Sequence, residues 1–147
     1  MFRFLVILFV AVWQTGFAAF AEDITGTWAF ESAVDGRTCK LSGTMEISSA
    51  SENGIRSCAF KSTSVCDFNP PLTVQMEQTC RITPQGASFI IRSKVIGTLT
   101  DGYDVNDYLA DHFIVKPSGS GKMEGLAQDD LSASRVVFWR NENTSIS

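Results

Sequence analysis

The feature that most limits what this chain can fold into is a hydrophobic period of two. From Cys39 to Ile47 the odd positions are apolar or small and most even positions are polar. Such a run shows one face to a core and the other to water, which is the signature of a half-buried strand. Val74, Met76, Cys80 and Ile82 repeat the pattern on even positions, with Gln78 as the polar exception. Phe89, Ile91 and Val95 alternate with Ile90, Arg92 and Lys94. The runs 112–116 and 135–140 are rich in β-branched and aromatic residues, which suit a pleated surface.

Turn-forming residues separate these runs: Asp35-Gly36, Asn53-Gly54, Asn69-Pro70-Pro71, Thr83-Pro84-Gln85-Gly86, Thr100-Asp101-Gly102, Pro117-Ser118-Gly119 and Asp129-Asp130. The punctuation predicts eight strands, near 25–33, 37–48, 55–62, 73–83, 87–97, 110–116, 120–127 and 134–141. Only 105–110 reads as a turn of helix. The fold class is therefore all-β. Eight hairpin-linked strands close most simply as a single antiparallel up-and-down barrel, which leaves no exposed edge.

The first residues read as an export leader. Arg3 precedes the apolar run 4–12, and Ala19-Phe20-Ala21 is a small-x-small cleavage site before Glu22. Gln14, Thr15 and Gly16 interrupt the run well short of the roughly 20 apolar residues a membrane span needs. The expected organisation is a signal peptide over 1–21 and one barrel domain over 22–147, periplasmic or secreted, with no membrane span after cleavage. The formal charge is −4 for the whole chain. An acidic chain of this kind argues against nucleic acid as a partner.

Cys39, Cys58, Cys66 and Cys80 are an even set in an exported domain, which predicts two disulfides. Zinc is disfavoured, because no C-x-x-C pair occurs and the single histidine, His112, is remote from the cysteines. Pairing of neighbouring strands brings Cys39 near Cys66 and Cys58 near Cys80; a local Cys58–Cys66 bridge is the competing arrangement. No metal site and no cofactor are expected.

Gly26-Thr27-Trp28 at the head of the first strand and Arg140 at the end of the last resemble the ends of a calycin barrel, as in lipocalins and avidins. In that superfamily the tryptophan closes one end of the barrel and a basic residue packs across the indole. The resemblance implies that Trp28 and Arg140 form such a closing pair. Ser42-Gly43-Thr44-Met45 looks like the second strand of avidins, but only Trp28 and Trp139 remain after the leader, too few for a biotin box. No clear Thr-Asp-Tyr motif or C-terminal helix of the lipocalin kind is present. Small periplasmic protease inhibitors are similar in their Gly-x-Trp start, although the arm ahead of their barrel is nearly missing here. Lysozyme inhibitors are a further barrel family of this size.

Two functions follow, neither of them enzymatic. In the first, an exported protein holds a small apolar molecule in the barrel, lined by residues such as Met45, Met76, Phe89, Ile91 and Phe113. In the second, the barrel is filled by its own side chains and binds an envelope or secreted protein, as a protease or lysozyme inhibitor does. Its working surface would then be the loop 98–112, with Tyr103, Asp104 and Tyr108 as first contacts, since tyrosine and flexible polar residues suit binding loops. Catalytic residues are not expected: Asp111-His112 is a fragment of a triad without a nucleophile elbow. Asp101, Asp104, Asn106, Asp107 and Asp111 lack the glycine and terminal glutamate of a calcium loop. Asn143-Thr144-Ser145 is a glycosylation sequon, relevant in a eukaryotic source.

Overall fold

The computed structural model of the chain describes residues 22–141; the leader assigned to 1–21 and the sequon lie outside the described residues. The strands are β1 (Gly26–Ser32), β2 (Cys39–Ile47), β3 (Arg56–Cys66), β4 (Leu72–Gln85), β5 (Ser88–Thr98), β6 (His112–Gly119), β7 (Lys122–Gln128) and β8 (Ala133–Arg140). Each pairs antiparallel with the next, and β8 returns to β1, so the sheet closes as an eight-stranded up-and-down barrel. A single turn of 3-10 helix covers Val105–Asp107, inside the stretch read as a helical turn.

Three strands, β3, β4 and β6, run on by two residues or more past the sequence reading, each for a local reason. β3 runs on past residue 62, because Cys66 pairs with both Cys39 and Leu72. β4 continues through Pro84 and Gln85, leaving Gly86-Ala87 as the whole connection to β5, with Gly86 in the left-handed region at φ 59°. Pro117 stays within β6, and the register shifts between Pro117 and Gly119, so the residue without an N–H falls at a bulge.

The alternation becomes an interior in which Phe30, Phe60, Phe113 and Phe138 meet at the centre. Phe30 contacts Phe138 at 5.1 Å between ring centroids, Phe113 at 5.4 Å and Phe60 at 5.7 Å, mostly edge to face. Such pairs contribute about 1 kcal/mol each beyond the area they bury. Met45, Met76, Met123, Ile82 and Ile91 fill the remaining space and are fully buried. The middle of the barrel is filled by its own side chains.

Gly43 is where that filling meets the wall. A Cβ there would lie against the Lys61 carbonyl oxygen and 2.6 Å from Phe30 Cζ. The absence of a side chain on β2 is what lets the Phe30 ring lie across the barrel.

Both disulfides cross directly between neighbouring strands. Cys39–Cys66 joins β2 to β3 and Cys58–Cys80 joins β3 to β4. The local Cys58–Cys66 alternative is excluded. The bridges sit towards opposite ends of β3, so the β2–β3–β4 sheet is stapled near both ends. Disulfides of this kind persist in an oxidising, extracytoplasmic setting. No helix among the described residues is long and apolar enough to cross a membrane.

One end of the barrel is shut. Trp28 is buried, and its Nε1–H donates to the Ile24 carbonyl at 2.8 Å. The Arg140 guanidinium lies over the indole with Cζ 4.5 Å from the ring centroid. It also donates to the Thr25 carbonyl at 2.7 Å and to the Asp23 carbonyl. A Cβ on Gly26 would come within 3.3 Å of Arg140 Nη1, at a φ of 123°. Glycine two residues ahead of the tryptophan is therefore favoured by the backbone conformation, and the arginine leaves little room for a side chain there.

Two stability outcomes follow. Gly43→Ala should lower the unfolding free energy by about 2 kcal/mol through overpacking against Phe30 and the β3 backbone. Arg140→Ala should cost a similar amount, about 2 kcal/mol, by removing the cation over the ring and two carbonyl partners. Denaturant titration of the oxidised protein checks both, and wild-type midpoints would contradict the packing described.

Candidate functional site

The other end of the barrel is open. On this side β5 and β6 pair over only three positions, Phe89–Val115, Ile90–Ile114 and Ile91–Phe113. Beyond them the strands part. His112 extends the contact by one bond, accepting the Ser93 N–H on Nδ1 at 3.0 Å. Burial and the nearby Arg92 charge hold its pKa below the ordinary histidine value, consistent with a neutral ring accepting that bond. The connection 99–111 turns into the gap, and its last residue, Asp111, faces inward.

Asp111 is 8% exposed and stands at the centre of a polar network. Gln78 Nε2 donates to its Oδ2 at 2.6 Å, the Tyr108 hydroxyl at 2.9 Å, and the Ser62 hydroxyl at 3.5 Å. Gln78 Oε1 in turn accepts the Asp111 backbone N–H at 3.0 Å, and Gln78 Nε2 also reaches Ser62 Oγ at 3.2 Å. The two side chains thus hold each other in register. Burial pushes the Asp111 carboxyl up to about 6, against hydrogen bonds from Gln78 and Tyr108 that lower it, with Asp129 adding to the rise. Burial and the neighbouring Asp111 also raise the Tyr108 hydroxyl far above its ordinary value, so it remains a donor.

Above this network lies a recess of about 340 Å³. Its walls are mixed. Leu41, Val74, Leu109 and Ala127 give an apolar lining, and Tyr103 and Tyr108 stand on one side with their rings 6.5 Å apart. Phe68, Leu72 and Leu131 form an exposed apolar lip, Leu131 at 71% exposure. Arg37 on the rim pairs with Asp129, and with Asp35 at 3.6 Å. Asp35 also accepts the backbone N–H groups of Arg37 and Cys39 and the Ser132 hydroxyl, and these bonds hold its pKa low despite partial burial. The Cys39–Cys66 bridge forms part of the wall.

The residues singled out from the sequence divide by place. Tyr103 and Tyr108 line the recess. Asp104 is exposed and caps the 3-10 turn, its Oδ1 accepting the Asn106 N–H at 2.9 Å. Met45, Met76, Phe89, Ile91 and Phe113 lie in the buried interior, and none of them lines the recess. Trp28 and Arg140 sit together at the shut end. Asp111, Gln78 and Ser62 complete the site beyond the residues that the sequence marks out. The signal was Gln78 itself, a polar residue on an inward-facing position of an otherwise apolar alternation. Among the described residues no cluster of histidine, cysteine and carboxylate side chains could hold a metal ion.

The comparisons with known proteins speak to the fold. A de novo designed fluorescence-activating beta barrel superposes with a TM-score of 0.52 at 14% identity, covering 83% of this chain and 96% of its own. At that identity the likeness shows the small β-barrel architecture alone. No protein-family model matches the chain, and no curated protein matches it significantly.

The raised Asp111 carboxyl has a consequence for stability. Its ordinary value is 3.8 and its folded value about 6. Below the first, both states carry the proton; above the second, both have lost it and the cost of burying the charge is fully expressed. Between them the folded state binds more protons, so this group's contribution falls as pH rises, by about 3 kcal/mol in all. Asp111→Asn should therefore gain on wild type as pH rises across that window, measured as the difference in unfolding free energy. A difference independent of pH would contradict the burial.

Proposed function

We propose that the protein is an exported, non-enzymatic binding protein that holds a small molecule at the mouth of its barrel, above an interior that is already filled. The observation that carries this reading is the recess over Asp111. It combines an apolar lining, two tyrosines and a buried carboxylate at its floor, the composition of a ligand site. The calycin-like placing of Trp28 and Arg140 at the shut end supports the same use of the barrel, with one end sealed and the other receiving the ligand. The fluorescence-activating design is a barrel of the same size class and supports a binding role by analogy of fold.

A second reading, in which the mouth docks a protein, rests on the lip. Phe68 at 45% and Leu131 at 71% exposure surround the recess and would bury against a partner, as in an inhibitor. Charge substitutions at these two positions would abolish a protein complex while sparing a ligand seated deeper in the recess.

The test uses octanol as a neutral apolar probe, followed by amide chemical shifts of the oxidised protein. Shifts should concentrate at Tyr108, Leu109, Ala127 and Leu131. Ala127→Trp, which fills the recess, should weaken binding at least about tenfold, whereas Met76→Leu, a volume-conserving change in the interior, should leave it unchanged. Shifts centred on Met45 and Met76, or undiminished binding by Ala127→Trp, would place the ligand elsewhere and overturn the proposal.

A further inference from the structure

The chemistry of the recess narrows the class of ligand, on the premise that the mouth is the binding site. Its charged lining consists of Asp35, Arg37, Asp107, Asp111 and Asp129, four carboxylates against one guanidinium. That guanidinium is already engaged by Asp35 and Asp129 on the rim. Asp111, at the floor, has no cationic partner among the described residues: its neighbours from β3, β4 and the 99–111 connection are Ser62, Gln78 and Tyr108, all uncharged donors.

The donors also leave one oxygen free. All three end on Oδ2. Among the described residues, Ser93 Oγ is the enclosed side-chain polar atom without a partner. Among the described residues Asp111 Oδ1 receives no hydrogen bond and is not enclosed, and Asp111 lines the recess. A carboxylate that is nine-tenths buried, bonded on one oxygen and open on the other, is an acceptor aimed at an incoming group.

We propose that the recess selects a small organic cation, a primary or secondary ammonium on an apolar body, with the ammonium donating to Asp111 Oδ1 and the body against Leu41, Val74 and Ala127. Tyr103 and Tyr108 stand beside the same space, where a ring face adds attraction for a cation. A ligand carboxylate would meet three uncompensated negative charges and is rejected. A neutral alcohol can bond to Oδ1 but leaves the buried charge uncompensated. The rise in the Asp111 carboxyl supports the assignment, because an ammonium is the partner that relieves the cost of ionising it.

The experiment is a matched titration of the oxidised full chain with octylamine, octanol and octanoate, read from amide shifts at about pH 7.5. Octylamine should bind at least about tenfold more tightly than octanol, and octanoate more weakly than either. Asp111→Asn should remove the preference for octylamine over octanol. In wild type, octylamine affinity should drop about tenfold between about pH 7.5 and about pH 5, as Asp111 takes up its proton while the amine keeps its own. Asp35, Asp107 and Asp129 share the recess, and a decline that persists in Asp111→Asn would assign the effect to them and overturn the role of Asp111. Equal binding of amine and alcohol would overturn the cation selectivity and leave the mouth as a site. Tightest binding of octanoate would overturn the proposal in favour of Arg37. Failure of all three probes to shift residues of the mouth would overturn both the ligand class and the site.

Discussion

Closure of eight strands fixes the volume available for side chains, and the rest of the structure depends on how that volume is used. A barrel of this strand number can just be filled, or can hold one small ligand. Here four phenylalanines meet across the axis and methionines and isoleucines occupy the gaps. The packing is tight enough that one wall position, Gly43, can carry no side chain at all. What remains open is one end.

The two ends differ because the chain treats them differently. At the shut end the last strand delivers Arg140 over Trp28, and the residues ahead of β1 wrap underneath, with Ile24 fully buried. At the open end the ladder between β5 and β6 stops after three pairs. The connection crossing that gap cannot be covered by sheet, so its polar groups need other partners. Gln78 supplies two of them to Asp111, and on the parted β5 strand His112 supplies one to Ser93. The same break in the sheet that creates the recess therefore places a carboxylate at its floor. Burying that charge destabilises the fold, and a strongly perturbed carboxyl in a concave site marks a candidate functional residue.

Much of this was legible in the sequence, and the reasons are physical. Period-two patterning reports directly which face of a strand is buried, so the strand count and the closed barrel followed from Cys39–Ile47 and its counterparts. Neighbouring-strand order then favoured facing cysteines but left a local Cys58–Cys66 bridge open, and the observed bridges are the facing pairs. Boundaries were less legible at Pro84 and Pro117, where a turn-forming residue sits at a strand end or bulge that the pattern does not mark. The candidate site was only partly legible. Tyr103 and Tyr108 were visible as loop tyrosines, but a loop's composition does not say which of its carboxylates turns inward. Asp104 caps the 3-10 turn, whereas Asp111 is buried and lines the recess. That choice depends on where β5 and β6 part, a long-range register that no local pattern carries.

Among the described residues Asp111 is a buried carboxylate without a cationic partner, set at the wall of the recess. The most direct measurement is a carbon-13 titration of its carboxyl carbon, alone and with octylamine bound. The account expects a midpoint near about 6 for the protein alone and a lower one with the amine present, because the ammonium favours the ionised form. A midpoint in the ordinary carboxylate range, unmoved by the amine, would contradict it.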